Sequence, residues 1–110
     1  MYEVDYTDDH VIVRMKGDLD VVNSDDFKRW VIDHLIASGK KNIVLDMSKL
    51  NYMDSSGLGV IISIQKHCKL NGGALTIFGL NEQIRKLLEL TSLDRILKIK
   101  NNLEEALKEE

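Results

Sequence analysis

No proline occurs in this chain and cysteine occurs once. Without proline, the punctuation of the chain falls to glycine, asparagine and aspartate, and these residues mark the expected element boundaries. A lone cysteine, Cys68, cannot form an internal disulfide, which fits a reducing cytoplasm. No apolar run approaches the roughly 18 residues that cross a bilayer, and the N-terminus has no signal-peptide pattern, so no membrane association is expected. Positive charge is not in excess either. The net charge is −3, no basic cluster stands out, and the electrostatic footprint of direct nucleic-acid binding is missing. Linkers, repeats and low-complexity tracts are also lacking. What remains is 110 residues, 44 % hydrophobic and 30 % charged, the profile of one soluble folded domain spanning 1–110. Such a chain is expected in the cytoplasm, acting on a protein or a small molecule.

The patterning predicts the order β-β-α-β-α-β-α-β-α. Tyr2, Val4 and Tyr6 alternate with acids in a half-buried strand, and Val11, Val13 and Met15 point inward from a second. The turn over 7–10 joins the two as an antiparallel hairpin. Asn23 reads as an N-cap, with Asp25 and Asp26 favoured by the helix dipole in the first turn. Val22 and Phe27 stand at hydrophobic-staple positions. Phe27, Trp30, Val31, Leu35 and Ser38 form one helical face, stopped by Gly39. Residues 42–47 read as a strand buried on both faces. A helix follows over 55–70, with Leu58, Ile61, Ile62 and Cys68 on one face and Gly72 and Gly73 at its end. Residues 74–79 form another buried strand, and Asn81 caps a helix carrying Ile84, Leu87 and Leu88. Residues 95–99 make a last strand, and residues 101–110 a short capped helix whose acids face solvent. Strands alternating with helices imply parallel pairing, so the fold class is α/β: a small mixed sheet with an N-terminal antiparallel hairpin, parallel β-α units and four covering helices. In such sheets function gathers where strands run into helices. Two such junctions stand out: Gly17–Val21 (GDLDV) after the second strand, and Lys49–Gly57 (KLNYMDSSG) after the third.

The second junction carries two adjacent hydroxyls, Ser55 and Ser56, between Asp54 and Gly57. A hydrolase nucleophile would sit in a G-x-S-x-G elbow with later acid and histidine partners. No glycine precedes these serines at that spacing. The only later histidine, His67, lies on the same helix about 18 Å along its axis. No phosphate-binding G-x-x-x-x-G-K-[ST] loop occurs. His10, His34 and His67 are scattered and no Cys-x-x-Cys or His-x-x-x-His exists, so neither metal nor cofactor is expected. Asp54 or Ser55 would cap the helix on general grounds. A cap alone leaves Gly57 and Gly59 unexplained, since glycine inside a helix costs about 1 kcal/mol relative to alanine. Either a partner approaches this turn or the turn packs hard on the sheet. The first-turn N–H groups and the dipole would also suit a phosphoryl group. On the residues alone, Ser55 and Ser56 are equivalent acceptors.

The stretch Met53–Val60 (MDSSGLGV), preceded by NIVLDM and followed by NGGALTIFGLNEQIRKLLELTSLDRIL, resembles the STAS domain of bacterial anti-sigma-factor antagonists of the sporulation AA and stress-response V type. The resemblance covers essentially the whole chain, including KGDLDVVN before the first helix. It implies that Ser55 is a phosphoacceptor and that Asp20 lies near a partner surface. The two glycines at the helix start place Gly57, Leu58 and Gly59 at that surface too, and Asp54 and Ser56 are expected to join them. It implies a non-enzymatic switch that binds an anti-sigma factor serine kinase and so frees a sigma factor. Phosphorylation at Ser55 would end the binding and a PP2C-type phosphatase would restore it. The short N-terminus argues against a transporter tail or a large stress-complex subunit. The other reading of a STAS module is a scaffold subunit, or a binder of a small anionic or lipid ligand.

Overall fold

A computed structural model describes residues 2–108. Five strands form one sheet in the order β1-β2-β3-β4-β5: β1 (Glu3–Tyr6), β2 (Val11–Leu19), β3 (Asn42–Met53), β4 (Ala74–Phe78) and β5 (Lys98–Lys100). β1 pairs antiparallel with β2 and every other pair is parallel. Helices α1 (Ser24–His34), α2 (Ser55–Leu70) and α3 (Glu82–Leu90) make the three crossovers, and α4 (Leu103–Ala106) closes the chain. This is the expected α/β architecture in the expected order.

The strands divide their side chains as a period of two requires. Val11, Val13 and Met15 of β2, Ile43, Leu45 and Met47 of β3, and Leu75 and Ile77 of β4 pack with Phe27, Val31, Ile61, Ile64, Cys68, Ile84 and Leu88 of α1–α3 in the main core. On the reverse face Ile12, Val44 and Phe78 form a smaller cluster under Ala106 of α4. Both faces of β2–β4 are therefore covered at their centre, which is why β3 reads as a continuous apolar run. Cys68 is a buried member of the core, and burial pushes its thiol up to about 11.

Several boundaries move. β2 runs on to Leu19 and β3 to Met53 because the two strands keep pairing past irregularities in register between Arg14 and Lys16 and between Gly17 and Asp18. α1 ends at His34, and a single 3₁₀ turn, Ile36–Ser38, follows before Gly39 turns the chain in the left-handed region. Ser38 is exposed rather than part of the inward face. β5 starts only at Lys98, since Leu93–Arg95 form another 3₁₀ turn and Ile96 is exposed. Tyr6 does not point inward; it is exposed, with Lys40 Nζ 5.7 Å from its ring centroid. Val22 makes no staple, being 84 % exposed. The C-terminal helix is the one turn Leu103–Ala106, capped by Asn102, and the last acids of the expected helix lie outside the described residues.

Candidate functional site

β2 and β3 end together at the pair Leu19 and Met53. The loop after β2 and the turn after β3 are thus delivered to one edge of the sheet, although more than thirty residues separate them in the chain. One carboxylate joins them. Asp54 is the N-cap of α2 in extended geometry, and its Oδ1 accepts the Gly57 N–H at 2.9 Å. Its Oδ2 accepts the Val21 N–H at 3.1 Å. The Asp54 N–H in turn reaches the Leu19 carbonyl at 3.3 Å.

The Asp20 loop is tied by its own polar side chains. Asp20 Oδ1 accepts the Val22 N–H at 3.0 Å, closing an Asx turn. Asn23 Oδ1 accepts the Asp20 N–H at 3.0 Å while Asn23 Nδ2 donates to the Asp18 carbonyl at 2.8 Å. Asn23 therefore precedes α1 without capping it through its side chain, because that side chain is spent on the loop behind it. The product is a loop without slack. Val21 and Val22, 72 % and 84 % exposed, stand at its tip.

Ser55 is exposed at the first position of α2 and Ser56 is half-buried at the second. Gly57 receives the cap, and Leu58 makes the first helical bond to Asp54 O at 3.0 Å. The Ser55 and Ser56 N–H groups are the ones a helix of this length leaves without intrahelical partners, and they sit at the positive end of the dipole. An open groove of about 310 Å³ runs between α1 and α2; Ser24 and Lys28 line one wall, Ser56, Gly59 and Ser63 the other, and Val21 the mouth.

The model of the STAS domain matches residues 1–106. The chain belongs to the STAS domain family. Its relatives include a candidate anti-sigma factor antagonist of Thermotoga maritima, 37 % identical over 109 residues that cover 99 % of this chain and 96 % of that one. The anti-sigma F factor antagonist of Paenibacillus polymyxa is 34 % identical over 99 residues, covering 90 % and 85 %. A crystal structure of a candidate anti-sigma factor antagonist from Thermotoga maritima superposes with a TM-score of 0.92 at 36 % identity, covering 96 % of this chain and 91 % of that one. Among the described residues, no helix of this STAS domain is long and apolar enough to cross a membrane.

Within the STAS domain the expected site residues separate into two groups. Asp20, Asp54, Ser55, Ser56 and Gly59 reach the surface, wholly or in part. Gly57 and Leu58, expected at a partner surface, are instead buried. A Cβ at Gly57 would lie 2.4 Å from the Leu19 carbonyl oxygen and 2.9 Å from Met53 Cγ. The glycine is required because α2 starts directly against the end of β2. A Cβ at Gly59 would meet nothing within 4 Å, so that glycine leaves open surface one helical turn from Ser55. Two features of the STAS domain were not foreseen. One is the exposed Val21–Val22 tip, whose Val22 the staple reading turned inward. The other is the support of β3 beyond its last β4 partner, where Asn81 Nδ2 donates to the Leu50 and Asn51 carbonyls at 3.2 and 2.8 Å, and Gln83 bonds both backbone groups of Met53.

Proposed function

We propose that this chain is a non-enzymatic, cytoplasmic partner switch: an anti-sigma factor antagonist. In its unphosphorylated form it binds an anti-sigma factor serine kinase and releases the sigma factor. Transfer of phosphate to Ser55 ends that binding, and a PP2C-type phosphatase restores it. The observation that carries the reading is the exposed Ser55 hydroxyl at the open start of α2, joined through Asp54 to the Asp20 loop. The names of the relatives at 34 % and 37 % identity support the same role.

The surface around Ser55 has what a protein contact needs. It offers a fixed apolar tip in Val21 and Val22, acids at Asp20 and Asp54, and the open approach left by Gly59. A phosphate adds about −1.5 to −2 charges at pH 7. Placed in that contact, it meets a desolvated partner surface. A hundredfold loss of affinity requires only about 2.7 kcal/mol, within reach of one buried unpaired charge.

Phosphopeptide mapping after incubation with an anti-sigma serine kinase and ATP tests the assignment. Phosphate is expected on Ser55. Ser55→Ala should take none yet still bind the kinase, and Ser56→Ala should still be modified. Phosphate on Ser56, or equal modification of both variants, refutes it.

A further inference from the structure

β3 outruns β4. Their pairing ends at Asp46 and Phe78, yet β3 continues for seven more residues to Met53, the residue before the Asp54 cap. A strand without a neighbour leaves backbone donors and acceptors open. Here α3 supplies the neighbour. Gly79, at φ +80°, packs so closely on β3 that a Cβ would lie 2.8 Å from Ser48 N, and the chain then turns into α3. Asn81 caps that helix by accepting the Ile84 N–H at 2.9 Å, and with its amide donates to the Leu50 and Asn51 carbonyls. Gln83, two residues on, presents a carboxamide edge-on to Met53: Oε1 accepts the Met53 N–H at 3.0 Å and Nε2 donates to the Met53 carbonyl at 2.8 Å. A residue of an antiparallel neighbour strand, in a hydrogen-bonded pair, exchanges the same two bonds. On the other side Met53 is flanked by a true strand, through Leu19 of β2. Met53 is therefore held from both sides, and two residues later the chain presents Ser55.

We infer that Gln83 is a positioning residue for phosphoryl transfer to Ser55: its carboxamide replaces a missing strand and fixes the peptide from which the acceptor turn departs. This rests on the switch reading above. Phosphoryl transfer depends chiefly on placing the attacking oxygen in line with the transferred group. An acceptor whose supporting strand end can shift will spend less of its bound time in line. Loops at the ends of parallel strands are ordinarily the mobile parts of such folds, and this clamp removes that freedom without contacting the hydroxyl.

The test has two readouts. In the chain alone, amide hydrogen exchange followed by NMR should show Met53 exchanging about tenfold faster or more in Gln83→Met, and likewise in the smaller Gln83→Ala. The central β2 and β3 amides should keep their rates. Arg85→Ala, an exposed change on the same helix, should leave Met53 unaltered. With an anti-sigma serine kinase that modifies the wild-type chain, kcat/KM for both Gln83 variants should fall about tenfold well below their melting transitions. Their affinity for the kinase with ADP should stay within about twofold. Wild-type exchange at Met53 in both variants overturns the clamp. Faster exchange with unchanged transfer kinetics makes Gln83 merely structural and overturns the positioning role. A wild-type chain that takes no phosphate refutes the switch reading and this role with it, whereas normal modification of wild type and variants alike refutes the positioning role only.

Discussion

Gly57 and Gly59 look alike in the sequence, two residues apart at the start of one helix, and the structure gives them opposite reasons. At Gly57 a methyl group would meet a backbone carbonyl that cannot swing aside. Gly57→Ala should therefore destabilise the fold by about 1–3 kcal/mol, the usual cost of overpacking. At Gly59 the added methyl meets open space, so Gly59→Ala should stabilise α2 by up to about 1 kcal/mol through helix propensity alone. Denaturant unfolding of the two variants checks both signs. If Gly59→Ala also weakens kinase binding while raising stability, the glycine is kept for the contact rather than for the fold. Sequence reasoning found that something must come close to this turn and left open what it was. It could not separate the two glycines, because the carbonyl that Gly57 must avoid belongs to Leu19, a neighbour only in three dimensions.

The turn between β3 and α2 has the right electrical polarity for a phosphate. The free N–H groups of Ser55 and Ser56 and the helix dipole favour it by about 0.3–1 kcal/mol at an exposed site, and the adjacent Asp54 carboxylate opposes it. The net change in stability on phosphorylation should be small. The melting temperature is expected to move by no more than a few degrees, and NMR shift changes should stay within the Ser55 turn and the Asp20 loop. Shifts across the whole sheet, or a large drop in melting temperature, would replace this local mechanism with a conformational one. The elements themselves were largely legible. Apolar periodicity gave the order of strands and helices, and Asp54, Asn81 and Asn102 cap their helices in the structure. Asn23 has the same cap chemistry and a different use, because Asp18 and Asp20 compete for its side chain. The strand ends were missed for a related reason. Local patterning shows where a strand is buried and is silent on how far a partner strand, or the carboxamide of Gln83, extends it.

At the scale of the whole molecule, the α1–α3 face of the sheet holds the main core, with Cys68 inside it. Its thiol, raised from an ordinary 9.0 to about 11 by burial, makes stability depend on alkaline pH with a defined sign. Between those two values the unfolded chain has released the thiol proton and the folded chain still holds it, so stability is full below about pH 9 and falls as pH rises toward 11. Tyr2, raised by burial first and by Asp26 second, adds the same sign at its own higher range. Cys68→Ala should lower stability at neutral pH by opening a small cavity and flatten the decline between about pH 8 and pH 10.5. Denaturant midpoints of both proteins across that range decide it, and parallel declines would show that Cys68 does not contribute. The same burial should keep Cys68 unreactive toward thiol reagents until the chain unfolds.

The proposed acceptor site draws on three stretches made at different times: the loop after β2, the turn after β3 and the first turn of α3. A chain growing from its N-terminus carries Ser55 well before it carries Gln83, and β2 joins β3 only when the α1 crossover has closed. Until then the serine is a hydroxyl on an unsupported segment. A kinase that requires the assembled turn will pass over half-made, truncated or unfolded copies. The phosphorylated pool in a cell would then count finished molecules, and the switch would draw no signal from biosynthetic debris.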